Sequence, residues 1–128
     1  RRSYHERVIQ LLPALPDDVV GFEAVGEVTA QDYTEVLAPA ISSAIAAHGD
    51  IGVLYVLGER FTGYSGPAMW EDAVVGTEHF AHWRRVAVVT DTDWVRHTVH
   101  AFAWLMPTRM KVFSVSERPD AERWVSEV

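Results

Sequence analysis

The chain contains no cysteine, which excludes disulfides, thiol nucleophiles and cysteine-type zinc sites together and suits a reducing cytoplasm. It has no uninterrupted apolar run approaching the ~20 residues that a membrane-spanning helix requires, so a transmembrane reading is rejected. Basic residues are few: 11 Lys and Arg stand against 18 Asp and Glu, leaving a formal net charge of −7, and they are scattered. Binding a phosphate backbone needs a concentrated basic surface, which argues against nucleic acid as a partner. Any membrane contact would have to come from apolar insertion or from a local basic face. No secretory signal opens the sequence, and no repeat, low-complexity run or linker interrupts it. The 128 residues, 48% of them hydrophobic, are enough for one domain with a sizeable core but too few for two comfortable ones. One domain over 1–128 is expected, with 1–6 as a disordered extension.

The periodicity that is present changes in a regular order. Segments 7–16 and 19–28 read as two strands of a hairpin around the turn-like Asp17-Asp18. The stretch "TAQDYTEVLAPAISSAIAAHG" reads as a helix. Thr29 caps it, Asp32 stands three residues on, Val36, Leu37, Ile41 and Ile45 share a face, and Gly49 stops it. Pro39 inside that pattern predicts one helix with a kink. "IGVLYVL" (51–57) and "RRVAVVTD" (84–91) read as buried strands and "RMKVFSVS" (109–116) as a further strand, with helices over about 66–83 and 92–106 and a last helix starting at Pro119. The order ββαβαβαβα predicts an α/β fold with a single mixed, mostly parallel sheet and an antiparallel N-terminal hairpin.

These segments also carry a resemblance. "VVGFEAVGEVTAQDYTEVLAPAI", "WEDAVVGTEHF", "RRVAVVTDTDW" and "VFSVSERPDAERWV" together resemble the SpoIIAA-like family, small α/β proteins of the STAS and Sec14/CRAL-TRIO type, from about residue 7 to 128. The resemblance implies a sheet with a flanking helical pair that moves relative to it. It further implies a role in apolar ligand binding or membrane association, and no defined reaction.

Ser65, in "YSGPAMWED", stands where STAS-type antagonists of anti-sigma factors carry a phosphorylated serine at a helix start. The Asp-Ser-Ser-Gly pattern is absent, and Glu71 and Asp72 would repel a phosphate, so Ser65 is expected to cap a helix, with regulation as the alternative. G-Y-S-G also falls short of a nucleophile elbow, whose second glycine would come one place later. His79 and His82, and likewise His97 and His100, share helix-face spacing; no third ligand type is fixed by that spacing, and solvated histidines with no metal are expected.

Projecting the two middle helices at ~100° per residue gives each of them two apolar stripes. In the first, Met69, Ala73, Gly76, Phe80 and Trp83 form one stripe and Trp70, Val74 and Ala81 another. In the second, Val95, Val99, Phe102 and Met106 suit the sheet, while Trp94, Ala101, Trp104 and Leu105 lie nearly opposite with His97 at their edge. A helix on a sheet needs one such stripe, so the second must cover a neighbouring helix, a ligand, a partner chain or lipid.

Tyr55, Glu59, Arg60 and Tyr64 fall at or beyond the end of a central strand, and Thr90 to Asp93 at the equivalent end of the next, where parallel sheets place ligands. Arg60 is a candidate contact for a charged headgroup, or else pairs with Glu59 or Asp91; Thr90 to Asp93 either line a site or cap the following helix. The expected function is non-enzymatic binding of an apolar or amphipathic, lipid-like molecule, with peripheral membrane association. The candidate residues are Arg60, Met69, Trp70, Val74, Phe80, Trp83, Trp94, Ala101, Trp104 and Leu105, with Ser65 regulatory, no catalytic residue and no cofactor. The alternative is a STAS-type protein-interaction module acting through helix faces, or a homodimer that buries them.

Overall fold

The computed structural model describes residues 9–64, 82–105 and 109–127. Strands β1 (Ile9–Leu11), β2 (Val19–Ala24), β4 (Ile51–Leu57), β6 (Trp83–Thr90) and β7 (Arg109–Phe113) form the main sheet in the order β1-β2-β4-β6-β7. β1 runs antiparallel to β2, with Ile9 opposite Ala24, and every other neighbouring pair is parallel. The mixed, mostly parallel sheet with an antiparallel hairpin is thus the expected one.

The hairpin differs from its prediction in extent. Pro13 and Pro16 cannot donate to a ladder, and Ala14 adopts a left-handed φ of 64°, so β1 ends at Leu11 rather than running to residue 16. The segment 19–28 is two strands rather than one. Gly26, at φ 83°, turns the chain out of the main sheet, and β3 (Gly26–Val28) pairs with β5 (Phe61–Tyr64) in a separate two-stranded parallel ladder that sequence reading did not foresee.

The helix after β3 has its predicted cap. The Thr29 backbone N–H and hydroxyl both donate to Asp32 Oδ2 at 2.8 Å, and the Asp32 N–H faces Thr29 Oγ1 at 3.4 Å. Asp32 is buried. The kink takes a definite form: α1 (Ala30–Asp32) opens into a π-turn at Tyr33–Leu37 before α2 (Ala38–His48) begins, which places Pro39 in the first turn of α2. A proline there sacrifices no helical bond, and the wider turn absorbs the clash that its ring would cause in an unbroken α-helix. The remaining helices are α3 (Asp93–Leu105) and α4 (Arg118–Ser126), the latter preceded by a 3₁₀ turn at Val115–Glu117 and holding Pro119 in its first turn.

Alternation along the strands divides the core in two. On one face, Phe22, Ile51, Val53, Leu57, Val86 and Val88 pack with Leu37 and Ile41 of the first helical segment and Val95 of α3. On the other, Val19, Leu54, Val56, Ala87, Val89 and Phe113 pack with Ala121 and Val125 of α4. α2 and α3 share a face because the sheet order advances in one direction from β2 to β7, and right-handed crossovers then keep their helices on one side.

Candidate functional site

The one-directional order has a functional consequence. A parallel sheet offers a ligand crevice where its strand order reverses, and β2-β4-β6-β7 contains no reversal. The loops at the strand ends are instead tied to one another. Thr90, buried at the end of β6, accepts the Thr92 N–H on its hydroxyl at 3.1 Å and the Arg96 guanidinium on its carbonyl at 2.9 Å. Asp91 Oδ1 accepts the Val115 N–H at 3.0 Å. Glu117 accepts the Ser114 N–H at 2.8 Å and the Ser114 hydroxyl at 3.0 Å. Those two bonds hold the Glu117 carboxyl below its ordinary value against the opposing effect of desolvation, with the positive charges of Arg96 and Lys111 adding less. The Thr90 hydroxyl thus closes a turn onto Thr92 immediately before α3.

Arg60, the candidate headgroup contact, lies in the turn before β5 with 62% of its side chain exposed. Its partner is Glu23 of β2 at 3.4 Å, a long exposed pair, and neither Glu59 nor Asp91. The turn itself is fixed by the Gly26 N–H donating to the Arg60 carbonyl at 2.6 Å. Tyr55 sits edge-on to Phe22 against the α2–α3 side of the core, with ring centroids 6.3 Å apart.

α3 presents both of its predicted stripes. Val95 is buried and Val99 packs against the same core, while Trp94, His97 and Ala101 are exposed on the outer side. Trp94 keeps 42% of its surface in water and tilts against Phe61 of β5 with ring centroids 6.3 Å apart. Trp104 and Leu105 belong to α3, but their side chains lie outside the description. Ser65, Met69, Trp70, Val74, Phe80 and His79 lie outside the described residues.

Trp83 requires a correction. It opens β6, opposite Ile51, and does not end a helix. Its ring packs on the α2–α3 side of the core, and its buried Nε1 has no hydrogen-bond partner among the described residues. The buried-strand pattern extends one residue upstream because a large ring can finish the apolar face of a strand as readily as that of a helix. Of the histidines, His82 stands 3.7 Å from Asp50, and His97 and His100 are exposed. Among the described residues no group of three or more metal-ligating side chains comes together.

Two arginines that no sequence motif singles out hold the end of α4. Arg84 bonds Asp18 at 2.9 Å and reaches the Val125 carbonyl at 3.4 Å. Arg85 donates to the Trp124 carbonyl at 2.7 Å and to Glu127 at 2.8 Å, with its guanidinium 5.0 Å from the centroid of the Trp124 ring. The available signal was two consecutive charges opening a buried strand, which must find partners near the core; the register shift between Ile51 and Gly52 lets both reach α4.

The model of the SpoIIAA-like family matches residues 19–126. The chain belongs to the SpoIIAA-like family. Among solved structures it is similar to an uncharacterized protein with a SpoIIAA-like fold from Shewanella loihica PV-4, at 28% identity over 91% of each chain and a TM-score of 0.73. It is also similar in fold to the anti-sigma factor antagonist SpoIIAA in its unphosphorylated form, at 16% identity over 90% of this chain and 97% of that one, with a TM-score of 0.60. No curated protein matches the sequence. These likenesses carry the SpoIIAA part of the expected resemblance and nothing of its Sec14 part. No described helix is long and apolar enough to cross a membrane.

Proposed function

We propose that this SpoIIAA-like chain is a non-enzymatic regulatory or protein-interaction module that works through the outer face of α3 and the adjoining strand ends. The observation that carries the reading is Trp94, whose indole stays 42% exposed on a helix whose other face is already used by the core. Large aromatic surface left in water beside polar groups is typical of binding surfaces, where tryptophan contributes more than most residues. The shared fold with an anti-sigma factor antagonist, a regulator by its name, supports the same class of function. Thr90, Asp91, Ser114 and Glu117 at the strand ends have their hydroxyls and carboxylates taken up by backbone and by one another, which favours binding over catalysis.

A second reading keeps the lipid-like ligand and a peripheral membrane role. It is favoured by Trp83 Nε1, a buried donor without an acceptor among the described residues, which would suit an oxygen atom of an amphipathic molecule. Native mass spectrometry of freshly purified protein, followed by denaturing extraction, separates the two. The interaction module is expected to fly as the bare chain. A discrete adduct of fatty-acid size would transfer the conclusion to the second reading. A dimer dispersed by Trp94→Ala would make a second copy the partner.

A further inference from the structure

The geometry points to a partner that is a basic, arginine-bearing segment of another protein, docked on Trp94 and held by the carboxylates around it; the inference rests on the interaction-module reading. Trp94 and Phe61 form an apolar contact at the junction of α3 and β5. Glu59 lies two residues before Phe61 and Asp93 one residue before Trp94; both are exposed, and neither has an ion pair among the described residues. Asp91, also exposed, lies in the same loop and is anchored by the Val115 N–H.

Among the described residues, the two arginines of this end each have a partner. Arg60 turns to Glu23, and Arg96 turns to the Thr90 carbonyl and the field of Glu117. Glu59 and Asp93 thus stand exposed beside the two rings in sequence; Asp91 is held by its hydrogen bond, and Asp93 occupies the first turn of α3, where the helix dipole favours a carboxylate. A cationic partner therefore meets charges that are already positioned, which lowers the ordering cost of binding.

The chain contains an internal precedent for the contact. Arg85 lies over the Trp124 ring at 5.0 Å with the Glu127 carboxylate at 2.8 Å, so one guanidinium engages an indole face and a carboxylate at once. Trp94 with Asp93 and Glu59 offers the same two kinds of group to solvent. Arginine suits the pair better than lysine, because its planar guanidinium stacks on the ring and forks to a carboxylate together.

The test uses fluorescence anisotropy with three labelled peptides of equal length, built on repeats of Arg-Leu-Ala, Gln-Leu-Ala and Glu-Leu-Ala. The arginine peptide is expected to bind most tightly, to lose about tenfold in affinity on Trp94→Ala and less on Trp94→Phe. It is expected to lose roughly threefold on each of Glu59→Gln and Asp93→Asn, and to be unmoved by Asp17→Asn at the opposite end of the sheet. Equal weakening by Asp17→Asn, or none by Trp94→Ala, would reduce the attraction to the net charge of the chain and overturn the site. Binding of the glutamine or glutamate peptide through Trp94 in preference to the arginine peptide would overturn the partner chemistry and leave the interaction reading standing. No peptide binding, with phosphatidylcholine or phosphatidylglycerol vesicles bound through Trp94, would overturn both.

Discussion

On one face of the main sheet, the first helical segment and α3 bring Leu37, Ile41 and Val95 over a broad apolar surface that includes Phe22, Ile51 and Val53. On the other, the nine-residue α4 buries only Ala121 and Val125, with Trp124 partly buried beside them. The shorter helix compensates with specific devices. Gly52 lets it come so close that a Cβ built there would lie 2.6 Å from the Val125 carbonyl oxygen. Arg84 and Arg85 then bond its last carbonyls, satisfying groups that a helix C-terminus leaves orphaned and placing positive charge at the negative end of its dipole. Leu12 and Leu15, from the loop after β1, fill in beside it. Where apolar area is ample, packing alone positions a helix; where it is scarce, a close backbone approach and polar clamps do so.

Substitutions on the two faces probe this contrast. The largest effect is expected from Leu54→Ala, which empties a fully buried position under α4. About 3 kcal/mol should be lost in urea unfolding, in one transition that takes both faces down together. Two separate transitions would mean that the faces fold independently. Gly52→Ala should cost about 2 kcal/mol, because the clash is with backbone and α4 must lift away. Hydrogen exchange should then show the amides of α4 losing protection while those of α2 keep theirs.

Arg85→Ala removes two hydrogen bonds and the stacking on Trp124 and should cost about 1 kcal/mol, again felt in α4 first. An equal loss of protection in α2 would undo the claim that the clamps serve only the α4 face. The smallest effect concerns Glu117, at the approach to α4. Its folded-state value is depressed by the Ser114 bonds, so its contribution is present above the ordinary glutamate value and is lost as pH falls through the folded one. Glu117→Gln should flatten that part of the acid side of the stability curve; an unchanged profile would remove the carboxylate from the account.

Legibility in the sequence followed the same physics. The strand Ile51–Leu57 was readable to the residue, because a run buried on both faces is apolar throughout and bounded by polar residues or glycine. α3 was readable within a residue at each end, and its two stripes emerged as one buried and one exposed wherever side chains are described. The break after Ala24 was not readable, since "VVGFEAVGEV" alternates just as well as one strand, and Gly26 reveals its role only through its positive φ and through β5, to which β3 is joined. Trp83, an aromatic residue at a boundary, fits either period, and only packing places it in β6. The partner of Arg60 lies 37 positions away on β2, beyond any local pattern.

Composition and periodicity alone determined the class of fold, the mostly parallel sheet, the cap at Thr29, the start of the last helix near Pro119 and the exclusion of disulfides, because each depends on composition or on residues close together in the chain. Tertiary structure decided the rest. It set which charges pair across elements, led β3 out of the main sheet, fixed α4 with two arginines, and left Trp94 42% exposed while its neighbour Val95 is buried, because these outcomes depend on what each side chain meets once distant segments pack together.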